Sequence, residues 1–428
     1  MEVRRLNPFK STKSTLTALI LLAYAGLFLS IPLSNLTLAI LLVYCLTRLS
    51  FPEAFASLRK QPLPALMILS FVLLLIGLLY TDTDNLKTGW FALEKKLALL
   101  LVPMIALPVF RKHDVCAPSL FRSMGWICLG SSIFLLGYAG LRFIAGQDTQ
   151  AFYFENFTRP LVHYVYYAMY FAVGILCFVD SVLDELMSRR FGIAILAALF
   201  IYSLGFLILV ASKTGILIFI AASVFLLYRR MKDKRLFRVS LAVLLVSGSL
   251  FLYVNDTTRG RFTELTENLS ILTRDQLGDW QTEKITGLNM RLLFWKISVL
   301  HIVDDGLALW GVGTGDTQDY LDALYTDPRY NRHGYVGWDT HNEWVFTFVQ
   351  SGLLGVAVWV VLFAVYFRRG WKAADTRLLL FLLVTFFFSL SESILESNKG
   401  IVFFALLMTL FASGHPKDKP APTPSVTS

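Results

Sequence analysis

The chain has 428 residues, 56% of them hydrophobic and 16% charged, with a mean hydropathy of +0.60 and a net charge of +9. Soluble domains are typically about 45–50% apolar and about a quarter charged, so the fold class expected is all-α, a polytopic membrane protein. A disordered chain, a disulfide scaffold, a coiled coil and a soluble Rossmann-type enzyme are excluded.

Twelve apolar runs are long enough to be read as crossings of a hydrocarbon layer about 30 Å thick. They cover 15–31, 34–49, 63–80, 90–110, 120–143, 162–183, 191–211, 213–229, 236–254, 341–367, 377–394 and 399–413. The first follows a basic leader (Arg4, Arg5, Lys10, Lys13) and reads as an uncleaved anchor, because no small-x-small site follows it. Basic residues then crowd alternate short loops, most heavily at Arg229, Arg230, Lys232, Lys234, Arg235 and Arg238. By the positive-inside rule those loops and both termini are cytoplasmic. The charge is therefore an orientation signal and implies no nucleic-acid partner. Cys45, Cys116, Cys128 and Cys177 include no C-x-x-C pair, so neither a disulfide framework nor a cysteine zinc site is expected.

Four regions follow: a membrane region at 1–254 with nine spans, a loop domain at 255–340, a membrane region at 341–413 with three spans, and a polar, proline-rich tail at 414–428. The tail's composition predicts disorder. The loop falls on the outer side and carries Trp280, Trp295, Trp310 and Trp338, too apolar a content for a linker.

Candidate functional residues come next, in chain order. Lys213, in Ala211-Ser212-Lys213-Thr214-Gly215, is a cation at the outer boundary of a span. Without G-x-x-x-x-G-K-[ST] spacing or a preceding strand it is not a nucleotide loop. Its alternatives are a fixed surface cation or a headgroup contact. Arg259 and Arg261 open the long loop as candidate phosphate contacts or solvated charges.

Residues 287–301 predict an apolar-rich helix shorter than a span, with Arg291, Trp295 and Ser298 on one face. An arginine near lipid needs an anionic partner, and its planar fork suits phosphate; snorkelling to headgroups is the alternative. Gly311-Val-Gly313-Thr-Gly315 predicts a tight turn, lacking the βαβ context of a dinucleotide loop. His301 and His333 have no partner at ligand spacing, so no metal is assigned.

Asp339-Thr340-His341-Asn342-Glu343 is the sharpest signal. It predicts a capping box, with Thr340 as N-cap, His341 in the first helical position and Glu343 at N3. A neutral histidine beside an anion-attracting helix end suits a general base; an interfacial polar residue is the plainer reading. Glu392 and Glu396, four apart near a span end, are candidate sugar or acceptor contacts or partners for Lys399.

These motifs, in order and on one side, resemble the O-antigen ligase/polymerase family of bacterial inner-membrane glycosyltransferases. The resemblance rests on SKTG at 212–215, RLLFWK at 291–296, GVGTG at 311–315 and HNEWVFTFVQSGLLG at 341–355. It implies a glycan donor on undecaprenyl diphosphate, an acceptor hydroxyl on lipid A–core, membrane lipids as surroundings, and no metal, nucleotide or other cofactor. By position, His341 is similar to the family's base and Arg291 to its diphosphate-binding arginine. Lys213 stands where that family commonly has arginine, which keeps the charge and loses the bidentate fork. Trp295 lies beside Arg291 as a further candidate sugar or acceptor contact.

The resemblance places the site at the periplasmic face of the inner membrane. A polymerase or a protein-directed ligase of the same family is the near alternative. A lipid or solute transporter is the distant one, and it would place ionisable groups deep in the spans.

Overall fold

The computed structural model describes residues 12–50, 62–146, 149–231, 287–327 and 335–414, with isolated positions at 52, 235, 237–238, 241–242 and 246. Nearly all of the expected span at 236–254, the candidates Arg259 and Arg261, His333 and the tail beyond Gly414 lie outside the described residues.

Among the described residues the chain is helical and has no strand. The main helices are α1 (Thr12–Leu29), α2 (Ile31–Leu46), α3 (Pro62–Leu78), α4 (Leu86–Lys96), α5 (Pro118–Gly146), α6 (Tyr164–Met187) and α7 (Gly192–Val210). They continue as α8 (Lys213–Arg230), α9 (Gly287–Asp304), α10 (Thr317–Thr326), α11 (Glu343–Lys372), α12 (Thr376–Ser389) and α13 (Asn398–Ser413). Five of them, α1, α5, α6, α7 and α11, are long and apolar enough to cross a membrane. Shorter apolar helices at Ile31–Leu46, Pro64–Leu78, Thr376–Ser389 and Asn398–Ser413 accompany them.

Local chemistry sets the ends. Ser30 caps α2 by accepting Leu33 N, with proline in the first turn, and Asp375 caps α12 by accepting Leu378 N. The single span expected at 90–110 is broken. After α4 come a short helix at Ala98–Leu101, a π-turn at Val102–Ala106 and a further helix at Leu107–Lys112. Pro103 and Pro108 lack the N–H that an unbroken ladder requires.

α13 is buried from Gly400 to Ser413, as expected of a helix apolar on every side at the centre of a bundle. α6 packs against α5, α7, α8 and α12, and α11 against α3, α9 and α12. Inside this core the Tyr24 hydroxyl donates to Tyr170 O at 3.1 Å and meets Cys128 Sγ at 3.3 Å. At one end of the bundle Arg230 and Arg377 converge on Asp180, tying α6, α8 and α12 together.

A second, smaller core joins α9 and α10 to the start of α11 through Leu292, Leu293, Phe294, Ile297, Leu321, Tyr325, Phe346 and Val349. The Phe294 and Tyr325 rings stack at 3.7 Å. This core fixes α9, and with it Arg291, against the N-terminal end of α11.

The span expected at 341–367 is a discontinuous helix. Gly352 has φ 63° and ψ −160°, which interrupts α11 after Ser351. The segment before α10 repairs the break: Val312 N and Gly313 N donate to Val349 O and Gln350 O, and Leu353 N and Leu354 N donate to Ala308 O and Leu309 O. Gly311-Val-Gly313-Thr-Gly315 is thus a turn, with Gly311 at φ 75° and Gly313 at φ 101°, and it is also a strap across a broken helix. Its far side is held to α3 and the turn after it, where Thr314 Oγ1 donates to Leu74 O at 2.6 Å and Gly315 N to Thr81 Oγ1 at 3.1 Å.

Candidate active site

The N-terminal ends of α11 and α13 and the C-terminal end of α12 meet beside α9. Helix α11 begins two residues later than the capping box predicted. Asn342 is the N-cap, its side-chain oxygen accepting Trp344 N at 2.9 Å and Val345 N at 3.2 Å. Glu343 is therefore N1 and not N3, and Thr340 is no cap. Its buried hydroxyl instead donates to Asn342 O at 2.8 Å. Asparagine competes successfully because its carboxamide reaches two free N–H groups at once.

His341 consequently lies outside the helix, with φ 48° in the left-handed region that few side chains adopt. Three contacts hold it. Its N–H donates to Asp339 Oδ1 at 2.7 Å, the Trp295 indole donates to Thr340 O at 2.7 Å, and the Trp338 ring stands edge-on to the imidazole at 5.7 Å.

The imidazole Nδ1 faces Glu392 Oε2 at 3.2 Å, and the other carboxylate oxygen of Glu392 accepts from Arg291 Nη2 at 2.6 Å. One carboxylate thus bridges a histidine and an arginine that are 50 positions apart in sequence. An ionised carboxylate only accepts, so this pairing assigns the proton to Nδ1 and leaves Nε2 as the basic nitrogen. Burial raises the Glu392 carboxyl, but the His341 hydrogen bond and the Arg291 charge outweigh it and hold the group below the usual glutamate range. Asp339, 3.5 Å from the same Nδ1, goes the other way: its burial outweighs the attraction of His341 and lifts it.

Glu392 sits in the 390–397 loop, because α12 ends at Ser389, short of the end of the expected 377–394 run. Two further buried groups hold this loop. Glu343 Oε2 accepts Leu395 N at 2.8 Å, and Glu396 pairs directly with Lys96 from α4. The lysine that pairs with Glu396 is thus Lys96 and not the Lys399 considered from the sequence. Lys96 also donates to Gln350 Oε1 at 3.0 Å.

The predicted candidates thus separate. His341, Arg291, Glu392 and Trp295 come together; Glu396 lies beneath them, engaged by Lys96. Lys213 is the first residue of α8, after Ala211 at φ 57° and the N-cap Ser212, which accepts Gly215 N at 3.1 Å.

Sequence reasoning missed three neighbours. Asp339 was read only as part of the motif. His163, which ends the loop before α6 and pairs with Glu155 at 3.3 Å, feels the charges of both Glu392 and Lys399, and its burial lowers its proton affinity. Lys96 had a usable signal, a charge inside the apolar run 90–110, where ionisable residues are costly and usually functional.

Residues 198–360 match the family model described as O-antigen ligase. The match supports the O-antigen ligase family for this chain. It runs from within α7 to the second half of α11, and so includes Lys213, Arg291, the glycine strap and His341. Glu392, Glu396 and Lys96 lie outside it. That family description implies enzymatic glycan transfer, and five helices of this chain are long and apolar enough to cross a membrane. No curated protein matches the chain.

Proposed function

We propose that the chain transfers a glycan from undecaprenyl diphosphate to an acceptor hydroxyl at the periplasmic face of the bacterial inner membrane, and that the transfer is O-antigen ligation to lipid A–core. The observation that carries this reading is the Glu392 carboxylate bridging His341 and Arg291, two residues inside the O-antigen ligase match.

Each group has a role suited to its geometry. Glu392 fixes the tautomer and orientation of His341, so Nε2 takes the proton of the acceptor hydroxyl as its oxygen attacks the anomeric carbon. The bond from that carbon to the diphosphate oxygen breaks and its electron pair leaves with the phosphate. One glycosidic bond forms as one phosphoester-linked C–O bond is lost, with inversion at carbon. Charge grows on the departing diphosphate, and Arg291 stabilises it: Glu392 engages one nitrogen of a guanidinium that carries five N–H donors. Lys213, and Arg259 and Arg261 at the start of the loop, supply further positive charge along the donor's headgroup. No metal is required in this scheme.

The test is transfer in proteoliposomes holding the full chain, an undecaprenyl-diphosphate-linked O-antigen and lipid A–core. The wild type should cap lipid A–core, and His341→Gln should lower the rate by about 10²–10⁴-fold at unchanged donor binding. Chain elongation of the donor in place of capping would make the enzyme a polymerase. Transfer by His341→Gln within a few-fold of wild type would move the base elsewhere.

A further inference from the structure

We propose that Lys96 is a positioning residue for this site: its buried ammonium, clamped between Gln350 and Glu396, holds the 390–397 loop so that Glu392 stands across from His341 and Arg291. The inference rests on the glycan-transfer reading above and adds to it a residue outside the matched segment.

Lys96 ends α4, and its side chain is 6% exposed. Its Nζ contacts the Glu396 carboxylate, donates to Gln350 Oε1 at 3.0 Å and lies 5.6 Å from the centre of the Phe346 ring. Three elements that are remote in sequence therefore meet on one ammonium: α4, the first half of α11 and the loop carrying Glu392. The charges around this cluster are Glu396, Glu343 on α11, Asp339 before α11 and Lys95 on α4. Lys96 and Glu343 also line one small pocket with Ser70, Thr347, Gln350 and Ser351.

Two anchors thus secure the loop one residue apart, Glu343 on the Leu395 amide and Lys96 on the Glu396 carboxylate. The Ile394 amide in turn donates to Glu392 O at 2.9 Å, so the anchored stretch continues directly into the bridging residue. Without Lys96, Glu396 and Glu343 would be two carboxylates enclosed together with no cation between them. A single buried charge left behind is worse tolerated than a pair removed whole. The loop would move to free Glu396, and Glu392 would move with it. A direct role on the diphosphate fits poorly, because this ammonium is enclosed and already bound to two side chains.

The discriminating experiment is a double-variant cycle in the same proteoliposome assay, using the full chain. Lys96→Met should lower kcat by about tenfold or more at nearly constant donor KM, because His341 loses the carboxylate that orients it. Glu396→Gln should do the same from the loop side. Lys96→Met with Glu396→Gln should return kcat to within about threefold of wild type, since the pair is removed whole while Glu343 keeps its hydrogen bond from the Leu395 amide.

A double variant as inactive as Lys96→Met would overturn the proposal and make Lys96 a substrate-binding cation. A wild-type rate in either single variant would also overturn it. If Lys96→Met does not accumulate, Glu396→Gln and the double variant decide by the same criteria. A wild-type protein that transfers no glycan removes the underlying reading instead, and so is distinct from an inactive double variant beside an active wild type.

Discussion

At the residue scale the site is a carboxylate with two claimants. Glu392 stays ionised because His341 and Arg291 together outweigh its burial. Its folded proton affinity is depressed, so its contribution to stability is complete above the usual glutamate range and is lost as pH falls through the lower folded value. Glu392→Gln lacks that titration. The melting temperatures of wild type and Glu392→Gln in detergent should therefore differ most at neutral pH and converge in acid; a constant gap would mean the carboxylate is not held ionised by this pair. Arg291→Lys tests the other claimant. The ammonium keeps the charge but loses the planar fork, so insertion should persist while transfer falls by about tenfold or more. Transfer near the wild-type rate would remove Arg291 from diphosphate binding. Sequence alone singled out Arg291, His341 and Glu392 separately, from residue type and sidedness. Their meeting point was not legible, because it depends on α9 and the 390–397 loop packing against the same helix end. The cap was misplaced by two residues for a related reason: Thr340 and Asn342 are both good caps, and only the backbone at His341 decides between them.

At the scale of elements, the decisive feature is the broken helix α11. A helix interrupted inside an apolar bundle leaves backbone carbonyls and amides that must find partners, since no bulk water is there to satisfy them. The strap at 307–315 supplies four such bonds. This also explains why glycines stand at the crossing. A Cβ on Gly352 would come within 2.3 Å of the Leu309 backbone, and one on Gly311 within 2.5 Å of the Gln350 backbone. Both also have positive φ. Gly352→Ala should thus cost at least about 1–3 kcal/mol from the backbone conformation alone, before the clash is relieved, and should lower the melting temperature clearly. Gly130, mid-helix in α5 with nothing within 4 Å of an added Cβ, is the matched control: Gly130→Ala should leave stability unchanged or raise it slightly. If both variants melt alike, the strap is not supporting the break. Hydropathy could not reveal this, because a single glycine in an apolar run scores as span. The turn residues at 311–315 were legible as a turn, but their partner lies some 40 positions away.

At the scale of the molecule, charge and apolarity were legible because they follow from composition and loop pattern, whereas helix breaks and buried ion pairs follow from packing. Lys96 shows the limit: it lies within a bundle whose other site charges gather at helix ends, so depth alone does not separate an enzyme from a transporter. Sidedness does more. The basic loops at Arg189–Arg190 and Arg229–Arg238 predict a cytoplasmic side, and alternation then puts the segment carrying Arg291 and His341 on the opposite one. Ala323 and Val336 are exposed in that segment, and Ser188 is exposed in the short loop between α6 and α7. In a background with Cys116 replaced by serine, the remaining Cys45, Cys128 and Cys177 are buried and should stay silent. A membrane-impermeant thiol reagent should then label Ala323→Cys and Val336→Cys in cells with a permeabilised outer membrane, and Ser188→Cys only after the inner membrane is lysed. The reverse pattern would place His341 and Arg291 in the cytoplasm. A donor flipped to the periplasm could not reach them there, so the same measurement tests the topology and the proposed reaction together.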